Sequence, residues 1–437
     1  MGHVQNTQKA MRNKVGLTFS FLRNCKMMGS LSQQRCNQRS SFHLLGIETS
    51  CDDTGAAVLN ESGKLLGDSL SSQTKISVMF GGVLPPIAAE LHKQNIESVV
   101  NVAVTKSNIE FQDLDFIAVT VKPGMPLSLK IGVDFAKSLA HRLKIPIIPI
   151  DHMEAHALTA LLTDSELKFP YVILLISGGH GILGVVQGIE DYVLLGTALD
   201  ASPGDVLDKL SRRLKLSRLG DESLKNVTGG RAIEMVAKMY CGDHRRFELP
   251  LPRSQSKDCD FSFTGIHVSA ERFISKLEQT ASAGSTNALS IQDIADICAS
   301  VQFAMTRLIC RRVQRAIEFC ILNNANQSSV IRNRPTALVV SGGVGANSVI
   351  RAGLVEVANH YNLRFVAPPP HMCTDNGIMI AWNGYLLQKG KSSRITENIS
   401  SVDFVPRSTL GCDLREAVKQ ADISIEPIKL PNTIFQS

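Results

Sequence analysis

The chain has 437 residues, of which 44% are hydrophobic and 20% are charged, and its formal net charge is +6. This length and composition suffice for two hydrophobic cores, whereas a single compact domain of this size would be unusually large. No apolar run reaches the roughly 18 residues that a membrane-spanning helix needs, so we expect no association with a membrane.

The first 43 residues are basic, contain many Ser, Asn and Gln residues, and precede the first acidic residue, Glu48. This composition is typical of a mitochondrial transit peptide; a disordered basic tail is the alternative. Without these residues, 39 of the 46 basic residues remain against 40 acidic ones, so the net charge is no argument for nucleic-acid binding. Local basic clusters, such as Arg311, Arg312 and Arg315, are more typical of a solvated helix face. The basic residues of the segment are Lys9, Arg12, Lys14, Arg23, Lys26, Arg35 and Arg39.

Two stretches of the chain share one pattern of predicted strands. FHLLGIETSCDDTGAAVLN and, further along, YVILLISGGHGILGVVQG each predict a strand, a polar turn and a second strand. Each is followed by a third strand that contains Leu-Leu-Gly, at 64–70 and at 193–199. This is an internal duplication, and repeats determine architecture.

Helical segments follow each of the two units, so the sequence predicts an α/β protein with two lobes and a cleft between them. The helices are predicted around 86–106, 126–143, 203–216 and 290–324. We expect lobe I at 44–150, completed by C-terminal helices at about 376–395, lobe II at 151–375, and a loosely packed C-terminal tail at 396–437.

Four polar stretches lie at strand ends, where ligands bind in open α/β sheets. Gly178 and Gly179 allow backbone N–H groups to approach an anion closely. Asn347 lies between a strand and a helix whose N-terminus favours phosphate, and Thr374 or Asp375 is expected to cap the helix that follows it. Together these features predict a nucleotide cleft, although none matches the P-loop or the dinucleotide pattern. The stretches are ETSCDDTG, LISGGHG, VVSGGVGAN and CTDNGIMIAW.

The stretch DHMEAH, residues 151–156, places two histidines four residues apart. On a helix, His152 and His156 share one face and can bind one cation. Zinc proteases need a glutamate directly after the first histidine, whereas Glu154 lies roughly 200° around the helix from it. Two helix-surface histidines without a metal are the alternative, so a third ligand must decide; the candidates are Asp375, Asp200 and Asp205.

These motifs together resemble the tRNA N6-adenosine threonylcarbamoyltransferases, and among them the mitochondrial branch. Nine motifs occur in family order between residue 46 and about residue 384. The resemblance implies the duplicated two-lobe fold of actin, the sugar kinases and the chaperone ATPases, with ribonuclease H-like lobes around a central cleft. The motifs are GIETSCDDTGAAV, GGVLPP, HMEAH, LLISGGH, GDVLDKLSRRL, TGGRAIE, DFSFTGI, VVSGGVGAN and CTDNGIMIAW.

The resemblance also implies the residues of the site. One divalent metal ion per subunit, iron or zinc, is implied at His152, His156 and Asp375, with no organic cofactor. Asp52 and Asp53 correspond to an acidic pair important for activity. The implied substrate contacts are Leu175, Ile176, Ser177, Gly178, Gly179, Asp208, Gly230, Glu234 and Asn347.

The implied reaction transfers threonylcarbamoyl from threonylcarbamoyl-AMP to N6 of the adenosine 3′ of the anticodon, in mitochondrial tRNAs that read codons starting with A. We expect the metal to act as a Lewis acid and the N–H groups of Ser177 to Gly179 to stabilise the leaving AMP. Asp52 or Asp53 is expected to accept the N6 proton. The resemblance implies a homodimer in the mitochondrial matrix, supplied by a separate threonylcarbamoyl-AMP synthase.

Three rival functions are a metalloprotease, a kinase or ATPase of the same superfamily, and a non-catalytic scaffold. The position of Glu154 disfavours the first, and the candidate metal ligands disfavour the last. The sequence offers no sugar-binding or chaperone extension for the second.

Overall fold

The computed structural model describes residues 42–80, 82–225, 227–283, 289–324 and 330–435. The transit-peptide prediction for residues 1–43 falls almost entirely outside these ranges. From Phe42 onward the described residues form one compact unit that contains two β-sheets.

The first sheet has five strands in the order β3-β2-β1-β4-β5. The first three strands form an antiparallel meander, because apolar runs alternate with short polar turns, and β4 and β5 then add in parallel beside β1. The strands are β1 (His43–Glu48), β2 (Asp53–Asn60), β3 (Leu65–Ser72), β4 (Phe116–Lys122) and β5 (Ile147–Asp151).

The second sheet repeats this arrangement. β6, β7 and β8 form the antiparallel meander, and β9 and β10 add in parallel beside β6; the short β11 extends the far edge. The predicted duplication and the two-lobe α/β fold are confirmed. The strands are β6 (Tyr171–Ile176), β7 (Gly181–Gly188), β8 (Asp191–Thr197), β9 (Ala337–Ser341), β10 (Arg364–Val366) and β11 (Cys412–Asp413).

The four predicted helices are present with small shifts at their ends. The third ends at Arg213 instead of 216, because Lys215 adopts a left-handed conformation at φ 54°. Among the described residues, no helix is both long enough and apolar enough to cross a membrane. The helices are α1 (Thr74–Phe80), α2 (Pro85–Lys106), α3 (Pro126–Leu143), α4 (His152–Thr163), α5 (Pro203–Arg213), α6 (Gly229–Met239), α7 (Thr264–Ala283), α8 (Ile291–Asn324), α9 (Ser348–His360), α10 (Pro370–Cys373), α11 (Gly377–Lys389) and α12 (Arg415–Gln420).

Helix α11 packs closely onto the first sheet and against α4. The approach requires glycine in β1, since a Cβ on Gly46 would lie 2.3 Å from the backbone nitrogen of Ala381. The indole nitrogen of Trp382 donates to the carbonyl of Leu158 in α4 at 3.0 Å. Helix α4, which carries both histidines of interest, is therefore held against a helix that arrives from the far end of the chain.

The C-terminal segment packs against both lobes, so the prediction of a loosely packed tail at 396–437 is wrong for its described part. Ile399 and Val402 are buried in the core of the first lobe, beside α2 and α3. Val418 and Ile423 are buried in the core of the second lobe. The many polar residues between these positions favoured the prediction of a loose tail. A few buried apolar side chains are nevertheless enough to hold the segment against the two lobes.

The cluster Arg311, Arg312 and Arg315 is not a solvated helix face. Arg312 and Arg315 are 1% and 2% exposed. Both guanidinium groups donate to the carbonyl of Asp258, at 2.7 and 2.9 Å, and Arg315 also donates to the carbonyl of Ile423. These arginines satisfy backbone carbonyls inside the second lobe, because a planar group with five donors suits several acceptors at once.

Candidate metal and nucleotide site

The pair of histidines begins helix α4 directly after strand β5. Asp151 ends the strand and caps the helix, since its Oδ1 accepts from the backbone nitrogens of Met153 and Glu154 at 2.8 and 3.3 Å. His152 and His156 then lie one helical turn apart with ring centroids 4.6 Å from each other, and both are 4% exposed. The predicted common face is therefore present and buried.

Asp375 lies between α10 and α11 and faces both imidazoles. Its Oδ1 lies 3.1 Å from Nε2 of His156 and 3.4 Å from Nε2 of His152. The expected capping role of Thr374 or Asp375 is wrong: Asn376 caps α11 by accepting from the nitrogen of Met379 at 2.9 Å. Asp375 lies one residue before the cap, so its carboxylate is not used to cap the helix.

These three side chains fit a divalent cation. One donor atom from each lies within 4.8 Å of the other two, and two imidazoles with one carboxylate are a ligand set that suits iron or zinc and leaves positions open. Nδ1 of His156 is buried and has no hydrogen-bond partner among the described residues. The other candidates are engaged elsewhere, since Asp200 accepts from Ser262 and Phe263, and Asp205 pairs with Lys209.

The carboxylate of Asp375 and the imidazole of His152 stabilise each other in their charged forms. Burial alone would raise the pKa of Asp375, but the neighbouring His152 and His156 hold it well below its usual value. Burial would lower the pKa of His152, whereas Asp375 and Glu48 together raise it well above its usual value. A cation at this site would therefore replace a proton on His152, as metal binding to imidazoles generally does.

Glu154 points away from the two histidines, as the helical geometry predicts. Its carboxylate is 6% exposed and pairs with both terminal nitrogens of Arg394, at 2.6 and 3.1 Å. Arg394 also contacts Glu190 at 2.9 Å, which joins α4 to the turn before β8. The glutamate is consumed by a structural ion pair and cannot serve as a protease base.

The glycine turn between β6 and β7 is open on its outer side. Leu175 and Ile176 end β6, and a Cβ on Gly178 or Gly179 would meet no atom within 4 Å. Two of the three N–H groups from Ser177 to Gly179 have acceptors within the turn, and the expectation that these groups stabilise the leaving AMP stays a prediction. The N–H of Ser177 donates to the carbonyl of His180 at 2.9 Å, and that of Gly179 to the Ser177 hydroxyl at 3.3 Å.

The N–H of Gly178 remains, with no acceptor in the described part of the chain. Helix α5 begins beside it, because Gly204 lets the backbone come close: a Cβ there would lie 2.7 Å from the Cα of Gly178. The second glycine loop also abuts this turn, since a Cβ on Gly342 would lie 2.4 Å from the carbonyl oxygen of Ile176. A helix N-terminus beside open backbone N–H groups favours an anion.

The glycine turn lies next to the histidine pair through His180. The ring centroids of His180 and His152 are 6.5 Å apart, and burial lowers the pKa of His180 to about 4, so its ring is neutral at physiological pH. Sequence reasoning did not select His180, although it directly follows the two glycines.

Asp208, Gly230, Glu234 and Asn347 form two neighbouring groups in the second lobe. Asp208 accepts from the nitrogen of Gly229 at 2.8 Å, next to Gly230. Glu234 accepts from the nitrogen and the hydroxyl of Ser348, at 2.8 and 2.5 Å.

Asn347 precedes Ser348 and caps α9 through the nitrogens of Val349 and Ile350, both at 3.1 Å. Glu234 and Ser348 line a cavity of about 530 Å³. These side chains are thus organised around the first turns of α6 and α9.

Asp52 lies in the turn between β1 and β2, and Asp53 is the first residue of β2. Oδ2 of Asp52 accepts from the Ser77 hydroxyl at 2.9 Å. Burial raises the pKa of Asp53 to about 7, and its Oδ1 is buried without a partner among the described residues. His92 supports this turn from α2, with one ring nitrogen 2.9 Å from the carbonyl of Cys51 and the other 2.8 Å from the Thr54 hydroxyl.

Residues 64–382 match the model of the family tRNA N6-adenosine threonylcarbamoyltransferase. The chain is 43% identical over 388 residues to the mitochondrial tRNA N6-adenosine threonylcarbamoyltransferases of Mus musculus and Homo sapiens, covering 89% of this chain and 90% of each relative. Among solved structures, HypF of T. kodakarensis aligns with 81% of this chain and 49% of its own, at 15% identity and a TM-score of 0.46.

Proposed function

The chain belongs to the tRNA N6-adenosine threonylcarbamoyltransferase family, and we propose that the site around His152, Asp53 and Gly178 performs the transfer. The donor is threonylcarbamoyl-AMP. The acceptor is N6 of the adenosine 3′ of the anticodon in mitochondrial tRNAs that read codons starting with A. The mitochondrial names of the relatives and the basic, acid-free first 43 residues support this location.

The observation that supports the proposal is that three kinds of functional group lie close together. A ligand set of two buried imidazoles and one half-buried carboxylate lies beside an open glycine turn at a helix N-terminus, and a nearby carboxylic acid has its pKa close to neutrality. Group transfer from an adenylate needs a site for the phosphate, stabilisation of the departing charge and an acceptor for the nucleophile's proton.

His152, His156 and Asp375 would hold the divalent cation. When bound, the cation supplies Lewis-acid polarisation of the donor's oxygen atoms. The two imidazoles are buried, the carboxylate of Asp375 is half-buried, and all three are hydrogen-bonded, so their positions are set before the donor arrives. Such preorganisation reduces the cost of reorganisation during the reaction.

The glycine turn and the N-terminus of α5 would receive the phosphate of AMP. The N–H of Gly178 has no acceptor among the described residues and α5 begins beside it, which supports binding of the negative charge that increases as AMP departs. Glu234 and Asn347 lie on the same lobe and would contact the nucleoside. The donor is thus held at its leaving group, which leaves its carbonyl carbon accessible.

Asp53 would accept the proton from N6. The N6 amine attacks the carbonyl carbon of the threonylcarbamoyl group, the bond from that carbon to the phosphate oxygen breaks, and AMP leaves with the electron pair. An acid whose pKa is about 7 is partly ionised at neutral pH and can take up the proton. Asp52 is a weaker candidate, since its carboxylate already accepts from Ser77.

The attacking amine is a poor nucleophile, so placement of the RNA must supply much of the rate. The adenosine lies in the anticodon loop, where unpaired bases can be splayed from the stack and reached by a protein. A separate threonylcarbamoyl-AMP synthase and a homodimeric assembly stay predictions.

The proposal is tested by His156→Ala in cells that lack the wild-type protein, with mass analysis of mitochondrial tRNA nucleosides. We expect the modification to fall by on the order of a hundredfold or more, because Lewis-acid stabilisation contributes several kcal/mol. His141→Ala is the matched control: this imidazole is exposed in the last turn of α3. Unchanged modification in His156→Ala would refute the assignment, and rapid ATP turnover without tRNA or threonine would favour a kinase or ATPase.

A further inference from the structure

Glu48 is a fully buried carboxylate at the end of β1 that contacts His152. Its exposed fraction is 0%. Its Oε2 lies 3.2 Å from Nδ1 of His152 and accepts from the Thr120 hydroxyl at 2.5 Å. Its Oε1 accepts from the nitrogen of Ser50, also at 2.5 Å. The charge is thus surrounded by donors that belong to three separate chain segments.

A buried carboxylate is costly to the fold even when it is hydrogen-bonded, and an apolar side chain would suit the end of this strand. The four residues before it in β1, 44–47, are apolar and buried. Packing alone therefore does not explain a glutamate at this position, and its contact with His152 suggests a functional role.

The contact determines which nitrogen of His152 carries hydrogen. A carboxylate only accepts hydrogen bonds, so the nitrogen that faces it, Nδ1, must donate. The Ser50 hydroxyl, 3.1 Å from the same nitrogen, can either donate or accept and imposes no choice. With hydrogen on Nδ1, the nitrogen left to bind a cation is Nε2, which lies 3.4 Å from Oδ1 of Asp375.

We propose that Glu48 is a positioning residue that holds His152 as the Nδ1–H tautomer and fixes its ring, so that Nε2 is presented to the cation. This rests on the proposed cation site. Histidine ligands in metalloproteins commonly donate a hydrogen bond from their second ring nitrogen to a carboxylate, and loss of that partner weakens metal binding. His156 has no such partner among the described residues, so the stabilisation is concentrated on one of the two imidazoles.

The test measures Zn²⁺ binding to the full chain by competition with a chromogenic chelator, without tRNA or donor. We expect Glu48→Gln to bind Zn²⁺ about 10- to 100-fold more weakly than the wild type, because an amide can present its NH₂ to Nδ1 and favour the wrong tautomer. Glu154→Gln is the matched control, since it makes the same change at a buried glutamate that pairs with Arg394 instead of a histidine. It should bind Zn²⁺ like the wild type.

Equal affinities of wild type and Glu48→Gln would overturn the role of Glu48 while leaving the cation site intact. A wild type that binds no Zn²⁺, Fe²⁺ or Co²⁺ would instead overturn the cation site itself. The two failures are therefore distinguishable.

A second measurement covers the case in which Glu48→Gln does not fold. Long-range ¹⁵N–¹H NMR of the Zn²⁺-loaded wild type reports which ring nitrogen of His152 carries hydrogen. We expect hydrogen on Nδ1 and the cation on Nε2. The reverse assignment would contradict the proposal whatever the stability of the variant.

Discussion

The two hairpin turns of the duplicated lobes occupy the same position in the topology and carry opposite chemistry. The β1–β2 turn holds Asp52 and is followed by Asp53, next to the buried Glu48, whereas the β6–β7 turn holds two glycines with open backbone. The acidic turn is supported by His92, and the glycine turn by the hydroxyl of Ser202, which donates to the carbonyl of Gly178. The strands of the two lobes are thus equivalent, whereas the two turns differ in charge and in exposed backbone.

This comparison predicts that the acidic turn serves turnover and the glycine turn serves donor binding. Variants of the two turns should therefore fail in different assays. The predictions below test that separation, starting with the largest expected effect.

Asp53→Asn should lower the rate of transfer by about 10²- to 10⁴-fold, the usual contribution of a general base, with donor affinity unchanged. In the wild type the rate should rise with pH up to about 7 and then level off, because the pKa of Asp53 is raised by burial to about 7 and only the ionised acid accepts a proton. Single-turnover rates over a pH series measure both effects.

The same pKa sets the sign of a stability effect. A carboxyl whose pKa is higher in the folded than in the unfolded chain favours folding at low pH and loses that contribution as the pH rises from its usual value of 3.8 to about 7. In denaturation experiments, the free energy of unfolding of Asp53→Asn should therefore lack this decrease between pH 3.8 and about 7. A variant that keeps the rise of rate with pH would show that another group accepts the proton.

Gly178→Ala should weaken donor binding about tenfold, or ~1.4 kcal/mol, and leave thermal stability unchanged. A Cβ at this position meets no protein atom within 4 Å and the backbone has no positive φ, so the new methyl group would enter only the space expected to hold the phosphate. Calorimetric titration with a non-reactive donor analogue measures the affinity. Tight binding with slow transfer would place the glycine turn in catalysis and contradict the division of tasks.

Ser202→Ala should cost about 1 kcal/mol of stability, the typical value of a helix N-cap, and weaken donor binding only a few-fold. Its hydroxyl caps the N-terminus of α5 and donates to the carbonyl of Gly178. Its loss would therefore make the glycine turn less ordered without placing an atom in the donor-binding space. Chemical denaturation and the same titration provide the two values. Ser408→Ala removes another half-buried hydroxyl, one that donates to Asp151, and is a control that should leave donor binding unchanged.

Local patterns in the chain were enough to predict several features. Alternating apolar residues predicted both meanders, and the four-residue spacing of His152 and His156 predicted their common face. The same helical geometry predicted that Glu154 is misplaced for a protease. The available signal for Glu48 was a charge at the end of the apolar run HLLGIE, but a strand-end charge is usually solvated and was not selected.

The sequence by itself determined the repeated strands, the helix that carries both histidines and the glycines of the open turn, because these depend on periodicity over a few residues. Only the tertiary structure brought Asp375 to His156 across 219 positions, buried Arg312 and Arg315, and raised the pKa of Asp53. The reason is physical: backbone preferences act between neighbours in the chain, whereas ligand distances and desolvation depend on how separate segments pack against one another.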